Sequence, residues 1–351
     1  MKTIASFCLL FVCCLQQAIA CSTFFIKHNG QMVFGRNYDW VAGTGLLCTN
    51  HRGLAKTGFK VEDGDPVKWV SKYGSLTFNQ YGKEFPTGGM NEKGLVVELM
   101  WLDETVYPQT DDRPVVNVLQ WIQYQLDNAA TVAEVIASDK LIRITSTGTP
   151  LHYLVADASG NVATIEFLKG KMVVHTGKSL PMTALTNSTY AESAQYAKAA
   201  LARNETGDNS SSLGRFVRAC DMMRKYEGGK LNTSLIDHSF NILDAVSQGD
   251  YTKWSIVYDI SHRKIYFKTN AVKEVRSVAF FNMRFSCEDK PLAFNINQQS
   301  KGDISKSFNE LTPALNRSTL LETAYLSRRQ VPISEKTQEA AASYSGSVLC
   351  R

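Results

Sequence analysis

The chain has 351 residues, and its 38 Lys and Arg residues against 33 Asp and Glu residues give a formal net charge of +5 at pH 7. A charge this small for the length indicates no nucleic-acid or other polyanionic partner. Hydrophobic residues make up 44% and charged residues 20%, which excludes a disordered, collagen-like or coiled-coil chain. Length alone suggests about two domains.

Residues 1–20 have the pattern of a secretory signal peptide. Lys2 precedes an apolar run at residues 7–15, and Ala18, Ile19 and Ala20 form the small-residue ending of such a peptide. The run is shorter than the roughly 20 residues that a membrane-spanning helix needs. We therefore expect cleavage after Ala20, a secreted or periplasmic protein, and no membrane span.

Cleavage there would change the cysteine count. The chain has eight cysteines, three of them in the first 20 residues, so removing 20 of the 351 residues leaves 331 residues with five cysteines. Cys21 would then be the N-terminal residue. An oxidising compartment permits disulfides. The other four cysteines allow three pairings, among which the sequence does not choose: Cys48, Cys220, Cys287 and Cys350.

The first elements in chain order are strands. Asn29-Gly30 lies between two runs rich in aromatic and β-branched residues, which predicts a β-hairpin of residues 21–27 and 31–38. A second strand pair is expected near residues 94–101. Pro114 is predicted to open a helix whose apolar residues recur at helical spacing, namely Val115, Leu119, Ile122 and Leu126.

Later elements also come in blocks of strands and blocks of helices. Thr131 and Glu134 match a capping box, which predicts another helix start. The remaining predictions are strands at 152–156, 162–168 and 172–175, helices at 191–203 and 215–226, and a hairpin of 254–259 with 264–268. Blocks of this kind favour an α+β fold with antiparallel sheets over a doubly wound parallel sheet. No Pro/Gly/Ser-rich linker divides residues 21–351, which favours a single domain.

An N-terminal cysteine combines a nucleophile and a base in one residue. The reference pKa is about 8.5 for a thiol and about 7.7–8.0 for an α-amine. Some of the amine is therefore unprotonated near neutral pH and can take the thiol proton, which is an established way to activate a nucleophile. This chemistry, the attack of a thiolate on an amide carbonyl, needs neither a histidine partner nor a metal.

The predicted hairpin places charged groups around Cys21. A two-residue turn at Asn29-Gly30 pairs Cys21 with Tyr38, so Arg36 becomes the diagonal neighbour of Cys21 on the same face. A nearby guanidinium favours the thiolate. Asp39 follows directly and would lie beside the free amine, where it could hold that amine in place.

Five motifs resemble a known family in its own order. They are CSTFF at 21–25, FGRNYDW at 34–40, MNEKGL at 90–95, LTNS at 185–188 and RFVR at 215–218. Together they resemble the choloylglycine hydrolase family of linear amide C–N hydrolases, which includes penicillin V acylases and bile salt hydrolases. The resemblance covers most of residues 21 to about 285. It implies the N-terminal-nucleophile hydrolase fold, a four-layer αββα sandwich with antiparallel sheets.

The resemblance also assigns roles to individual residues. Cys21 is implied to be the nucleophile and, through its amine, the base. The side chain of Asn187 and the backbone N–H of Trp101 are implied to form the oxyanion hole. The other residues that match the family around the nucleophile are Arg36, Asp39 and Arg215.

Substrate and assembly stay open at this point. Position 101 is Trp where bile salt hydrolases typically have Asn and penicillin V acylases Tyr, and Thr189 stands where the family usually has Pro. Trp40 and Trp101 fit a hydrophobic acyl group, so the expected partner is a small N-acyl amide such as penicillin V, a bile-acid conjugate, an N-acyl homoserine lactone or an N-acyl lipid. The segment between LTNS and RFVR is short, and in Gram-positive relatives a long insertion there helps tetramers assemble, so a homo-oligomer is left open.

Other functions compete with this one. The sequence A-I-A-C is close to a lipobox, so the alternative is a non-catalytic binding protein that is lipid-anchored through Cys21. A cysteine–histidine hydrolase is a further alternative, although no cysteine has a papain-like signature around it. No cofactor or metal is expected, because the six histidines show no metal-binding spacing.

Overall fold

The computed structural model describes residues 21–59, 64–146, 148–227 and 232–351. The predicted signal peptide lies outside these residues. The strands are, in chain order, β1 (Ser22–His28), β2 (Gln31–Asp39), β3 (Leu46–Asn50), β4 (Leu54–Thr57), β5 (Lys68–Val70), β6 (Ser75–Asn79), β7 (Pro86–Asn91), β8 (Val96–Trp101), β9 (Val115–Asn117), β10 (Arg143–Thr145), β11 (Leu151–Ala156), β12 (Val162–Leu168), β13 (Lys171–Thr176), β14 (Ala184–Leu185), β15 (Thr252–Asp259), β16 (Lys264–Thr269), β17 (Arg276–Ala279), β18 (Leu292–Asn295), β19 (Gly302–Asp303), β20 (Asn309–Glu310) and β21 (Leu349–Cys350). The helices are α1 (Val118–Asn128), α2 (Val132–Ala137), α3 (Tyr190–Ala202), α4 (Ser212–Glu227), α5 (Leu235–Ala245), α6 (Pro313–Leu326) and α7 (Glu335–Tyr344).

The N-terminal hairpin has the predicted register. His28 pairs with Gln31 and Thr23 with Arg36, without a bulge between β1 and β2. Both turn residues have positive φ, 47° at Asn29 and 82° at Gly30, as a two-residue turn that matches the twist of the strands requires. The turn sequence therefore sets which side chains share the face of Cys21.

Two large sheets carry most of the strands. One has seven strands in the order β14-β1-β2-β15-β16-β17-β19, and the other has nine in the order β13-β12-β11-β8-β7-β6-β3-β18-β20. Their pairings are antiparallel except for the parallel pair β17 and β19. The predicted strands at 152–156, 162–168 and 172–175 form a meander in the nine-stranded sheet, and the predicted hairpin near 254–268 lies in the other.

Alternation along the strands shows how the layers stack. In β8, Val96 and Met100 join the apolar core between the sheets, whereas Val97 and Leu99 pack in a second core with α1 and α2. On the outer face of the seven-stranded sheet, the Asn37 side chain donates to a carbonyl of α5. Helices α3–α5 cover that face, so the layers are helix, sheet, sheet, helix. The α+β prediction and the αββα sandwich are confirmed.

The predicted helix start at Pro114 was wrong. Residues Val115–Asn117 form strand β9, which pairs in parallel with β10, and the helix begins only at Val118. The Asn117 side chain accepts hydrogen bonds from two N–H groups of the first turn. An N-cap asparagine and a β-branched pair before it favour this boundary over one at the proline. The predicted capping box of Thr131 is present at the start of α2.

The C-terminal end of the chain is linked to earlier parts of the chain by a disulfide and by a strand pairing. Cys287 and Cys350 form a disulfide with a Cα–Cα distance of 5.3 Å, and β21 pairs with β4. Cys48 and Cys220 are free and buried, so the structure contains one bridge among the four cysteines left open by the sequence. Within the described ranges, no helix combines the length and the apolar character needed to cross a bilayer.

Candidate functional site

Cys21 lies directly before β1 in the space between the two large sheets. Its side chain is buried, with 4% of the residue exposed. The Sγ atom is 3.8 Å from Nη2 of Arg36 and 3.8 Å from the backbone oxygen of Asp39. Burial raises the pKa of the Cys21 thiol, the Arg36 charge opposes that shift, and the Asp39 charge adds to it. The predicted approach of Arg36 to Cys21 is confirmed.

Arg36 is held by a carboxylate that the sequence analysis missed. Its guanidinium forms an ion pair with Glu98 of β8, both side chains being fully buried, and donates to the Thr87 carbonyl at 3.0 Å. Glu98 also accepts a hydrogen bond from the Tyr258 hydroxyl. A Cβ at Gly88 would overlap the Glu98 carboxylate, so glycine leaves the necessary room. An acidic residue inside the apolar run of β8 was the available signal.

One carboxylate oxygen of Asp39 accepts a hydrogen bond and the other does not. Oδ1 accepts from the Thr252 hydroxyl, beside a register shift between β15 and β2. Oδ2 is buried and has no hydrogen-bond partner among the described residues. Burial raises the pKa of Asp39 to about 7, against the opposing effects of the Thr252 hydrogen bond and the charges of Arg215 and Arg36. An unfilled acceptor thus lies near Cys21.

Asn187, Trp101 and Arg215 come together beside Cys21. Asn187 lies between β14 and α3, and its Nδ2 donates to the Trp101 carbonyl at 2.8 Å. Arg215 of α4 donates through Nη2 to Asn187 Oδ1 at 3.2 Å and through Nε to the Ser22 hydroxyl at 3.2 Å. Because the Leu102 N–H donates to the carbonyl of Pro150, directly before β11, the N–H of the preceding Trp101 is directed away from that strand.

A buried histidine and a glutamate support the backbone on both sides of Asn187. His152 Nε2 donates to the Thr186 carbonyl at 2.7 Å, and Nδ1 lies 3.3 Å from Glu166 Oε1. The same Glu166 oxygen accepts from the Tyr190 N–H at 2.9 Å. The sequence analysis missed this pair, although both residues interrupt apolar strands. At the position where the family usually has Pro, Thr189 caps α3.

Trp40 and Trp101 border a cavity that reaches Cys21. Their ring centroids are 6.1 Å apart, and both residues line, with Cys21 and Asp39, a cavity of about 890 Å³. That volume is near the upper end for small-molecule sites. The other large aliphatic and phenylalanine side chains around it are Phe59, Phe85, Leu99, Val118, Leu119, Leu151, Leu320, Val331 and Ile333. In the described ranges, no group of three or more His, Cys, Asp or Glu residues could hold a metal ion.

We expect Glu98→Gln to destabilise the protein by about 3–5 kcal/mol, because it leaves the buried Arg36 charge without its partner. Urea denaturation with a common slope measures the change. The matched control is Glu310→Gln, which breaks an exposed pair with Lys290 and should cost less than about 1 kcal/mol. Equal losses in the two variants would contradict the assigned role of Glu98.

The Asp39 carboxyl should make stability depend on pH. In a chain whose Cys21 nitrogen remains in a peptide bond, the pKa of Asp39 near 7 lies above its unfolded value of 3.8. The folded state then holds a proton that the unfolded state releases, so the free energy of unfolding falls as pH rises through this window. Between these two pH values, the free energy of unfolding should fall more steeply with pH in the wild type than in Asp39→Asn. Parallel profiles for the two proteins would refute the raised pKa of Asp39.

Comparisons with known proteins give this site a context. The family model of linear amide C–N hydrolases, choloylglycine hydrolase family, matches residues 21–292. The match begins at Cys21 and includes every residue predicted for the site. The penicillin V acylase of Pectobacterium atrosepticum is 34% identical over 191 residues, which are 49% of this chain and 50% of that protein. The chain thus matches about half the length of this relative.

Solved structures extend the similarity to the fold. The penicillin V acylase of Agrobacterium tumefaciens superposes with a TM-score of 0.73 at 26% identity, over 84% of this chain and 98% of that one. A variant of conjugated bile acid hydrolase from Clostridium perfringens shares the fold, with a TM-score of 0.67 at 17% identity over 80% of this chain and 98% of that one. The chain belongs to the choloylglycine hydrolase family of linear amide C–N hydrolases.

Proposed function

We propose that the protein is an exported amidohydrolase that uses Cys21, as a free N-terminal residue, to cleave N-acyl amides with a hydrophobic acyl group. The observation that carries this proposal is the surroundings of one thiol. Cys21 Sγ lies 3.8 Å from a buried guanidinium and borders a large cavity with apolar walls. Reactive cysteines lie in electropositive surroundings of this kind, whereas buried cysteines that serve only packing are inert.

Two features support a free amine at Cys21. The family match begins at this residue, directly after the predicted cleavage site. The open Oδ2 of Asp39 would gain a donor if the Cys21 nitrogen became an amine. A protonated amine there would also lower the pKa of Asp39, because an opposite charge favours the ionised carboxyl.

Acyl transfer then follows from the positions of the groups. The unprotonated amine takes the thiol proton, Arg36 stabilises the thiolate, and the sulfur attacks the amide carbon. An amide side chain has two N–H donors, so Asn187 can donate one to the Trp101 carbonyl and aim the other at the oxyanion. The Trp101 N–H, directed away from β11, is the second donor of this proposal.

The intermediate breaks down in two steps. The protonated amine of Cys21 gives its proton to the leaving nitrogen, the C–N bond breaks, and a thioester to Cys21 remains. Water, activated by the same amine, attacks the thioester and releases the carboxylic acid. Arg215 contributes by fixing the orientation of Asn187 through its Oδ1 atom.

The choice of acyl group and amine is tested directly. Similarity to two proteins named penicillin V acylases makes penicillin V the first candidate. The other classes to compare are acyl-glycine, acyl-taurine and N-acyl homoserine lactones. Trp40 and Trp101 would contact the acyl group in each case, since both line the cavity with Cys21.

Cys21→Ala should abolish hydrolysis of every substrate in this panel while the circular dichroism spectrum and melting temperature stay near those of the wild type. Retained activity would rule out the mechanism.

The mass of the mature N-terminus separates the enzyme from a lipid-anchored binding protein, since a free cysteine supports the former and a diacylglyceryl thioether the latter. The burial of Cys21 between the sheets favours the free cysteine.

Asn187→Ala should lower kcat by about 10²–10³-fold with a smaller change in KM, because it removes a donor that acts on the oxyanion. Steady-state kinetics on the best substrate measures the changes in kcat and KM separately. Asn309→Ala, at an exposed strand position, is the matched control and should leave both constants unchanged. A loss confined to KM would assign Asn187 to substrate binding instead.

A further inference from the structure

One wall of the cavity comes from beyond the part of the chain that the family model matches. The match ends at residue 292, whereas Leu320 of α6, residues 331–334 and much of α7 line the cavity. The opposite wall and the nucleophile come from the two sheets. This later segment, residues 313–344, is called the C-terminal wall below.

The C-terminal wall has a defined position against the sheets. The Asn316 side chain accepts from the Lys83 N–H at 2.7 Å and donates to the Ala342 carbonyl at 3.0 Å, so it ties α6 to both the body and α7. The Tyr344 ring lies 5.4 Å from Phe85, and its hydroxyl donates to the Thr57 carbonyl. The disulfide Cys287–Cys350 holds the chain just after the wall.

The apolar side chains that this wall contributes to the cavity are aliphatic. Leu320, Val331, Ile333, Ala340 and Ala341 all border the cavity. The small side chains of the two alanines leave space that a larger residue would fill.

Apart from Lys336, which is exposed, the polar side chains that this wall contributes to the cavity bond to one another or to backbone. Ser334 and Thr337 share a hydrogen bond of 2.8 Å, and Gln338 Nε2 donates to the Ile333 carbonyl at 2.7 Å. A site built to recognise a hydroxyl presents a partner for it. These groups already have partners, so the wall suits a chain without polar substituents.

We infer that the C-terminal wall is a specificity-determining subsite that binds the distal part of a long, unsubstituted alkyl acyl chain. This inference rests on the proposed function, because it names the acyl group of that same reaction. A larger side chain at Ala341 of α7 should shorten the longest acyl chain that the cavity can hold. The preference arises from apolar area along the chain that binding removes from water.

The test compares Ala341→Phe with Ser343→Phe on the same helix, where Ser343 is exposed and does not line the cavity. Substrates are the butanoyl and dodecanoyl amides of one amine, with release of the amine followed. Ala341→Phe should lower kcat/KM for the dodecanoyl amide at least about tenfold and leave the butanoyl amide nearly unchanged. Ser343→Phe should change neither. Equal losses for both chain lengths would overturn the inference.

A second variant covers the case in which Ala341→Phe does not fold, as judged by its melting temperature. Ile333→Thr places a hydroxyl in the wall at a half-buried position and should also select against the dodecanoyl amide. An unchanged chain-length ratio in a folded Ile333→Thr protein would count against the assignment. Better hydrolysis of a hydroxylated acyl chain than of its unsubstituted counterpart by the wild type would refute it.

Binding separates this inference from the proposed function. Calorimetry of dodecanoate with Cys21→Ala needs no turnover, and adding Ala341→Phe should weaken that binding at least about tenfold. If binding follows this pattern but no amide is hydrolysed, the wall is right and the proposed function is wrong. If amides are hydrolysed with no effect of the wall variants on chain length, the proposed function stands and the wall assignment fails.

Discussion

The buried ion pair of Arg36 and Glu98 joins the two large sheets, and the site depends on it. An unpaired guanidinium between the sheets would cost several kcal/mol, so the acid on β8 is what permits a cation on the inner face of β2. Gly88 makes room for the carboxylate, and the Tyr258 hydroxyl binds its other oxygen. The result is a positive charge 3.8 Å from the Cys21 sulfur, beside the apolar core between the sheets.

Strand β8 links this pair to the rest of the site. Glu98 and Trp101 lie three positions apart on it, so the strand that neutralises Arg36 also presents the carbonyl that receives Asn187. The loop of Asn187 is fixed from the other side by the pair of His152 and Glu166. Reactive groups thus rest on rigid strands and their buried partners, whereas the far wall of the cavity comes from helices added after the sheets. This separation allows the far wall of the cavity to vary while the groups around Cys21 stay the same.

Local sequence was sufficient wherever short-range rules apply. Asn29-Gly30 has one favoured turn, and alternation along the two strands that it joins then places Arg36 next to Cys21. Alternating strands and grouped helices indicated the α+β class, and the five motifs pointed to the residues around Cys21. The prediction that a helix begins at Pro114 was wrong, because residues 115–117 pair with β10, some 28 residues later, and so form a strand.

The sequence by itself determined the N-terminal hairpin and the residue types around Cys21, since these depend on neighbours in the chain. Tertiary structure alone decided which carboxylate would neutralise Arg36, which cysteine would pair with Cys287, and that α7 would line the cavity next to Cys21. Each of these is a contact between segments far apart in the chain. Such contacts are selected by packing of the sheets and by the need to pair buried charges, and a local pattern such as the acid inside the apolar run of β8 does not name the distant partner.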